Sequence, residues 1–305
     1  MPICTQRAFT EEQVEHFLEK GHVVIRNAFS REFAEEWVDF GFKRLGYDPI
    51  DSSTWEVDRI HLPVMNRVNV KEIAPGAWEA ICDIMGGEER LANPDLGWGD
   101  GFIINFSMGA DEPWLPPEQW ENGWHKDGDF FRHFLDSPEQ GLLTIIIWKD
   151  IEPMSGGTFV ACDSILHVAR LLQENPQGFR PGEFNFKPII EQCTDFVEVT
   201  GEAGDVVLLH PFVLHSASRN PSGRPRFITN PPVAFKEPMN FNRDDPEDFS
   251  LVELAILRGL GLDRLDFQPI AEREKITPER VRRQQKILDE QRARLGISTG
   301  TPAAS

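Results

Sequence analysis

The chain has 305 residues, 40% of them hydrophobic, which is ample for the core of one large domain or two small ones. Its 31 basic and 50 acidic residues give a formal net charge of -19, which repels a phosphate backbone and excludes nucleic acid and anionic membrane surfaces as favourable partners. A small molecule is the expected partner, and the same charge disfavours a polyanion such as a coenzyme A thioester.

Cys4, Cys82, Cys162 and Cys193 form no Cys-x-x-Cys pair, so neither a zinc ribbon nor a dense disulfide framework is expected. Residues 1–7 lack the apolar run of a signal peptide. The longest strongly apolar stretch, Leu142 to Trp148, is too short to span a bilayer, and the Pro-Ala-Ala-Ser ending is not a peroxisomal signal. The expectation is a cytoplasmic protein with reduced thiols. In that setting the glycosylation sequon at Asn105-Phe106-Ser107 is a coincidence.

The first elements are helical. Thr10 and Gln13 form a capping box that opens a helix over Glu11 to Lys20. Ser30 caps a second, with Phe33, Trp37, Phe40 and Phe42 as its apolar positions, and Gly86-Gly87 ends a third that starts at Gly76. From about Gly101 the period changes to that of strands: 102–106, 142–151, 158–162, 196–200, 205–210 and 226–235 are short β-branched or aromatic runs with Gly, Pro, Asn or Asp between them. Asp163 to Glu174 reads as one helix inserted among them, with Asp163 as its cap. Helix returns at Ser250 to Arg258, and a Thr277-Pro278 start opens a long polar helix that closes at Gly296. This order predicts a single domain over residues 1–297. A mainly β sandwich or barrel core at about 100–236 lies between helical flanks, followed by a disordered tail at 298–305. The end helices offer a surface for a homodimer, without an apolar stripe to mark it.

His125 and Asp127 stand in the run Trp-His-Lys-Asp-Gly-Asp. On an extended chain the period of two puts both on one face, within reach of a single ion. The segment 204–215 is a turn followed by an apolar strand that delivers two more histidines, His210 and His215, one of which would supply the third ligand. Two imidazoles and one carboxylate are the donors of a facial triad that holds iron(II) and leaves open positions for a co-substrate and oxygen. Arg226 begins the next strand, where a planar guanidinium grips a carboxylate through two parallel hydrogen bonds.

The layout from Trp124 to Arg226 resembles the phytanoyl-CoA dioxygenase-like iron(II)/2-oxoglutarate oxygenases. The matching features are Trp-His-x-Asp, a buried strand ending in Trp148, the turn Ser155-Gly156-Gly157-Thr158, Gly-Asp-x-Val-x-Leu-His-Pro-x-x-x-His, and an Arg eleven residues after the second His. The resemblance implies a double-stranded β-helix, or jelly roll, of the cupin type. It implies His125, Asp127 and His215 as iron ligands and catalytic residues, Arg226 as the clamp on 2-oxoglutarate, and Trp148 near that co-substrate. The cofactors implied are Fe(II), 2-oxoglutarate and O2. It also selects His215 over His210, whose own reading is a hydrogen-bonded residue at a strand end.

Two positions depart from the family pattern. A hydroxyl residue is frequent where this chain has Ala217, so Ser216, Ser218 or another donor must serve. Pro-Gly-Ser-His is frequent where Cys162-Asp163-Ser164-Ile165 stands, which argues against phytanoyl-CoA as substrate. A carboxylate at 127 leaves no room for the halide of the related halogenases. The function expected is oxidation of an unactivated C–H bond in a small metabolite, by hydroxylation, desaturation or ring formation. The alternatives are a cupin-like metal enzyme that does not use 2-oxoglutarate and a non-catalytic jelly-roll binding protein. Asn105, Phe131 and Arg132 are the candidate substrate contacts, Arg132 as anchor for a carboxylate. Some of Phe130, Phe131, Arg132, His133 and Phe134 are expected to line the pocket mouth, the alternative being core for the Phe residues and surface for Arg132 and His133; Trp124 is expected to pack, and His16, His22, His61 and His167 to be structural or solvated. The basic run Arg280, Arg282, Arg283 and Lys286 reads as a solvated helix face.

Overall fold

A computed structural model describes residues 8–118 and 123–297; the expected tail at 298–305 lies outside them. Among the described residues twelve strands pair antiparallel: β1 (His22–Ile25), β2 (Arg59–His61), β3 (Arg67–Asn69), β4 (Gly97–Gly99), β5 (Ile103–Asn105), β6 (Leu142–Ile147), β7 (Thr158–Ala161), β8 (Phe196–Val199), β9 (Val206–Leu209), β10 (Leu214–Ala217), β11 (Arg226–Thr229) and β12 (Pro232–Val233). The larger sheet runs β1-β9-β6-β11-β5-β2, with β12 beside β6. A smaller sheet runs β10-β7-β8, and β3 pairs with β4. This arrangement is the jelly-roll core with flanking helices that the strand pattern anticipates. The larger sheet, however, recruits β1 and β2 from well before residue 100, so the core starts earlier in the chain than its apolar runs suggest.

Burial explains which strands were legible. In β6 and β9 every residue is buried, and a strand covered on both faces reads as a continuous apolar run. In β2 only Ile60 is apolar, and the outer two residues are exposed, so no alternation announces it.

Among the described residues eight α-helices flank the sheets: α1 (Glu11–Lys20), α2 (Arg31–Leu45), α3 (Val70–Ile73), α4 (Pro75–Met85), α5 (Ser164–Glu174), α6 (Lys187–Ile190), α7 (Leu251–Leu260) and α8 (Arg280–Leu295). The Thr10/Gln13 capping box on α1 forms as expected, and Ser250/Glu253 makes another on α7. Two helix starts differ from the sequence reading. Asp163 does not cap α5; its carboxylate instead accepts from the backbone N–H and the hydroxyl of Thr194, tying the helix to the loop before β8. α8 starts at Arg280 rather than beside Thr277, because the preceding segment is held by the loop after the His125 motif. Arg132 N–H donates to Glu274 O at 2.9 Å, and Ile276 N–H donates to Phe130 O at 2.8 Å. Among the described residues no helix is long and apolar enough to cross a membrane, and Cys82, Cys162 and Cys193 are free thiols.

Candidate metal centre and co-substrate pocket

The run read as one strand from Asp205 to His215 is two. β9 ends at Leu209, the chain turns with Val213 N–H donating to His210 O at 3.0 Å, and β10 then joins the other sheet. His210 therefore stays beside the larger sheet. It donates through Nε2 to Val252 O at 3.2 Å and accepts at Nδ1 from Phe212 N–H at 3.1 Å. Burial lowers its pKa to about 3, so it is the neutral hydrogen-bonded residue expected. His215 crosses to the smaller sheet and meets His125 in an antiparallel bridge, with reciprocal backbone bonds of 3.0 and 2.9 Å.

That bridge brings the three donors together. Nε2 of His125 and Nε2 of His215 each lie 3.5 Å from Asp127 Oδ1, and the three side-chain donors fall within 4.8 Å of one another. Each imidazole is oriented from behind. His125 Nδ1–H donates to Gly123 O at 2.6 Å, and His215 Nδ1–H donates to Val213 O at 3.2 Å. A backbone carbonyl on Nδ1 fixes the tautomer that leaves the Nε2 lone pair free for a metal. Burial pushes the Asp127 carboxyl up, but its contacts with His215 and His125 outweigh this, so it stays ionised well below the usual carboxylate range. Asn230 donates to Asp127 Oδ2 at 2.7 Å, leaving Oδ1 to face the imidazoles. The donor set fits a facial triad for iron(II).

A cavity of about 1150 Å³ opens from these ligands between the sheets. Arg226 reaches into it from β11 and is 2% exposed. Its Nη1 donates to Thr158 Oγ1 at 3.3 Å, while Nε and Nη2 have no hydrogen-bond partner among the described residues. Burial, with the charge of Arg59 added, lowers its pKa to about 9. A buried guanidinium with two adjacent donors unpaired is costly unless an anion completes it, and a carboxylate has the matching two-oxygen geometry. Thr158 is the register partner of Ala217 on the neighbouring strand, so the hydroxyl lacking at 217 arrives from across the sheet.

The remaining expected site residues are not brought to this cavity. The Trp148 indole is fully buried on the far side of the larger sheet, stacked on Trp37 at 5.0 Å; its N–H donates to Thr229 Oγ1 at 2.9 Å, and only Thr229 reaches the cavity wall. Asn105 is a buried strut, donating to Ser218 O at 3.0 Å and accepting from Met108 N–H. Phe131 packs against the His133 ring at 4.2 Å. Arg132 is turned toward Gln177 O and Glu274. Trp124 packs as expected, against Phe196.

Other residues take their place. Of the residues read as pocket mouth, Phe130 and His133 line the cavity; His133 is buried rather than at the surface, bonded to Lys126 Nζ and Gly128 O at 2.6 Å each, and lowered to about 2 by burial and then by Lys126. His61 lines the cavity, as does Arg280, whose guanidinium grips both oxygens of Asp129 at 2.5 and 2.6 Å rather than lying on a solvated face. Arg59 on β2 completes this wall. His61, Arg59 and Arg280 have no ligand spacing to the triad; strand pairing brings β2 to it, and the Arg280–Asp129 pair ties in α8.

A jelly-roll core with a two-histidine, one-carboxylate cluster at its open end is the architecture of the non-haem iron dioxygenases. The chain belongs to the phytanoyl-CoA dioxygenase (PhyH) family, whose model matches residues 3–228. No curated protein matches by sequence. Solved structures with similar folds include the non-heme alpha ketoglutarate dependent carbocyclase SnoK from nogalamycin biosynthesis. It is 16% identical over 77% of this chain and 86% of that one, with a TM-score of 0.42. The non-heme monooxygenase ThoJ, as its Ni complex, is 16% identical over 93% and 96%, TM-score 0.42. AviO1 from Streptomyces viridochromogenes is 15% identical over 75% and 96%, TM-score 0.42. These values carry no substrate over to this chain.

Proposed function

We propose that the protein is an iron(II)- and 2-oxoglutarate-dependent oxygenase that oxidises an unactivated C–H bond of a small metabolite, by hydroxylation, desaturation or oxidative ring formation. The observation that carries this reading is Arg226, buried on the cavity wall with Nε and Nη2 unpaired among the described residues. A cupin-like metal enzyme without a keto-acid co-substrate has no use for such a clamp. The net charge of -19 speaks against phytanoyl-CoA itself; residues 162–165 do not line the cavity.

Iron(II) held by His125, Asp127 and His215, together with 2-oxoglutarate and O2, would supply the oxidising chemistry. The residues of this chain bind, orient and exclude water. Arg226 with Thr158 would seat the distal carboxylate and so point the keto-acid end toward the triad. Leu143 and Ile145 of β6 and Ile228 of β11 face the same cavity at strand spacing and make that stretch of wall apolar, which keeps water from the reacting carbon.

The test is an anaerobic titration of metal-free protein with iron(II) and then 2-oxoglutarate, following the visible charge-transfer band of the chelate. The band is expected in the wild type and absent in His215→Ala. In Arg226→Ala it should need at least about tenfold more 2-oxoglutarate, the scale of a lost charge-assisted pair. No band in wild-type protein that has bound iron would overturn the assignment.

A further inference from the structure

The charge of the cavity contrasts with that of the molecule. Five cations, Arg59, Arg67, Lys126, Arg226 and Arg280, line it against three carboxylates, Asp95, Asp127 and Asp129, in a chain of net charge -19. Most of these charges are already accounted for. Arg280 is paired with Asp129. Lys126 is buried against His133, with Nζ 2.6 Å from Nδ1. Arg67, at the far strand pair β3–β4, donates to Gly97 O at 3.4 Å. On the functional reading above, Arg226 takes the distal carboxylate of 2-oxoglutarate. Iron(II), Asp127 and the keto-acid carboxylate then come close to neutrality with one another.

Arg59 is left over. Arg226, Asn105 and Arg59 are register partners on three neighbouring strands, β11, β5 and β2. Register partners project from the same face of a sheet, so the Arg59 side chain enters the cavity from the wall that carries Arg226. It lines the same cavity as His61, His125 and Arg226, and its side chain makes no hydrogen bond or ion pair with any described residue. The two unpaired donors of Arg226 suffice for one carboxylate, so a second anion entering the cavity is left to Arg59, the guanidinium beside it.

Resting on the functional reading above, we propose that the substrate of this enzyme is an organic acid bearing one carboxylate, and that Arg59 is the residue that holds it. The cavity slightly exceeds the usual range for a single drug-sized ligand, which leaves room beside 2-oxoglutarate for an acid larger than an amino acid. The carboxylate would dock at the β2 edge, and the apolar body of the substrate would run along Leu143, Ile145 and Ile228 toward the triad.

The experiment uses full-length protein loaded anaerobically with iron(II) and 2-oxoglutarate. It is titrated with a matched set of aryl- and alkyl-carboxylic acids of about ten to twenty heavy atoms, their methyl esters and the corresponding amines. Binding is read from calorimetry and from perturbation of the chelate band. Acids are expected to bind, with esters and amines at least tenfold weaker. Arg59→Gln should weaken the acids by tenfold or more while leaving the esters and the affinity for 2-oxoglutarate unchanged, and Arg59→Lys should recover part of the loss. Equal binding of acids and esters, or no acid bound by protein that does bind 2-oxoglutarate, overturns the proposal. So does an Arg59→Gln variant whose defect lies in 2-oxoglutarate affinity, which would assign Arg59 to the co-substrate. Failure of the wild type to bind 2-oxoglutarate at all would instead refute the underlying oxygenase reading. Position 59 is exposed on an edge strand, and an unchanged thermal midpoint confirms that the variants are folded.

Discussion

At the scale of single residues, a ligand is made by what stands behind it. Asp127 would be a poor ligand if its carboxylate rotated freely, and Asn230 prevents this by donating to Oδ2 at 2.7 Å. Such supporting contacts are worth about 10–100-fold in metal affinity. Asn230→Ala is therefore expected to weaken iron(II) binding by that factor without shifting the thermal midpoint, as read by competitive titration with a chelator of known affinity; unchanged iron affinity would show that the triad orients itself. Asn230 was hidden in the sequence by its setting. The run 226–235 reads as one strand, whereas the chain leaves β11 at Thr229 and re-pairs with β6 as β12 only from Pro232. The residue in that break is released from the ladder and turns its side chain to Asp127. His125, Asp127 and Arg226, in contrast, were visible because a ligand pair at spacing two and an isolated arginine at a strand start are local patterns.

At the scale of elements, the turn before β9 sets the frame on which β1 and β6 are hung. Gly204 accepts from Ala28 N–H and donates to Ile147 O, at 2.8 and 2.9 Å. It has φ near +99°, and a Cβ there would sit 2.3 Å from Phe29 O. Gly204→Ala should cost roughly 1–3 kcal/mol from backbone conformation alone, with the clash in addition. The check is the denaturant midpoint by circular dichroism, and a loss under about 0.5 kcal/mol would contradict the rigidity of this turn. The Gly-Asp pair was legible as a turn; β1, which it anchors, was not. Four residues of strand between two helices carry too short a period to be read. α8 shows the same limit from the other side. Its polar sequence is that of a solvated helix, yet Arg280 at its first turn pairs with Asp129, and Gln291 near its end accepts from buried Arg44 at 2.9 Å. A helix propensity says nothing of which distant group its charges meet.

At the scale of the whole molecule, the interior keeps histidines neutral, which makes stability depend on pH. His210 has a folded pKa of about 3, against about 6.5 in an unfolded chain. As pH falls, the unfolded state takes up the proton first. The stabilisation is therefore complete above about pH 6.5 and is lost progressively down to about pH 3. Between pH 7 and 5 this one residue should remove about 2 kcal/mol. His210→Gln keeps a hydrogen-bonding side chain without titrating. It is expected to be less stable at pH 7.5 but to lose correspondingly less on acidification, as read from urea midpoints at several pH values; parallel curves for the two proteins would exclude His210 as a source of the dependence.

The sequence by itself determined what is local: the capped helices, the apolar strands of the core, the His-x-Asp pair, the later histidines and Arg226. These are written in periods of two and 3.6 and in the chemistry of single side chains, which need no partner to be seen. Which histidine crosses to the second sheet, the support of Asn230 and Thr158, the withdrawal of Trp148 and Arg132 from the cavity, and the arrival of Arg59, His61 and Arg280 were decided by tertiary structure. Each depends on which distant strands pair and in what register. Burial and backbone hydrogen bonding over the whole chain select that pairing, and no single window of residues contains it.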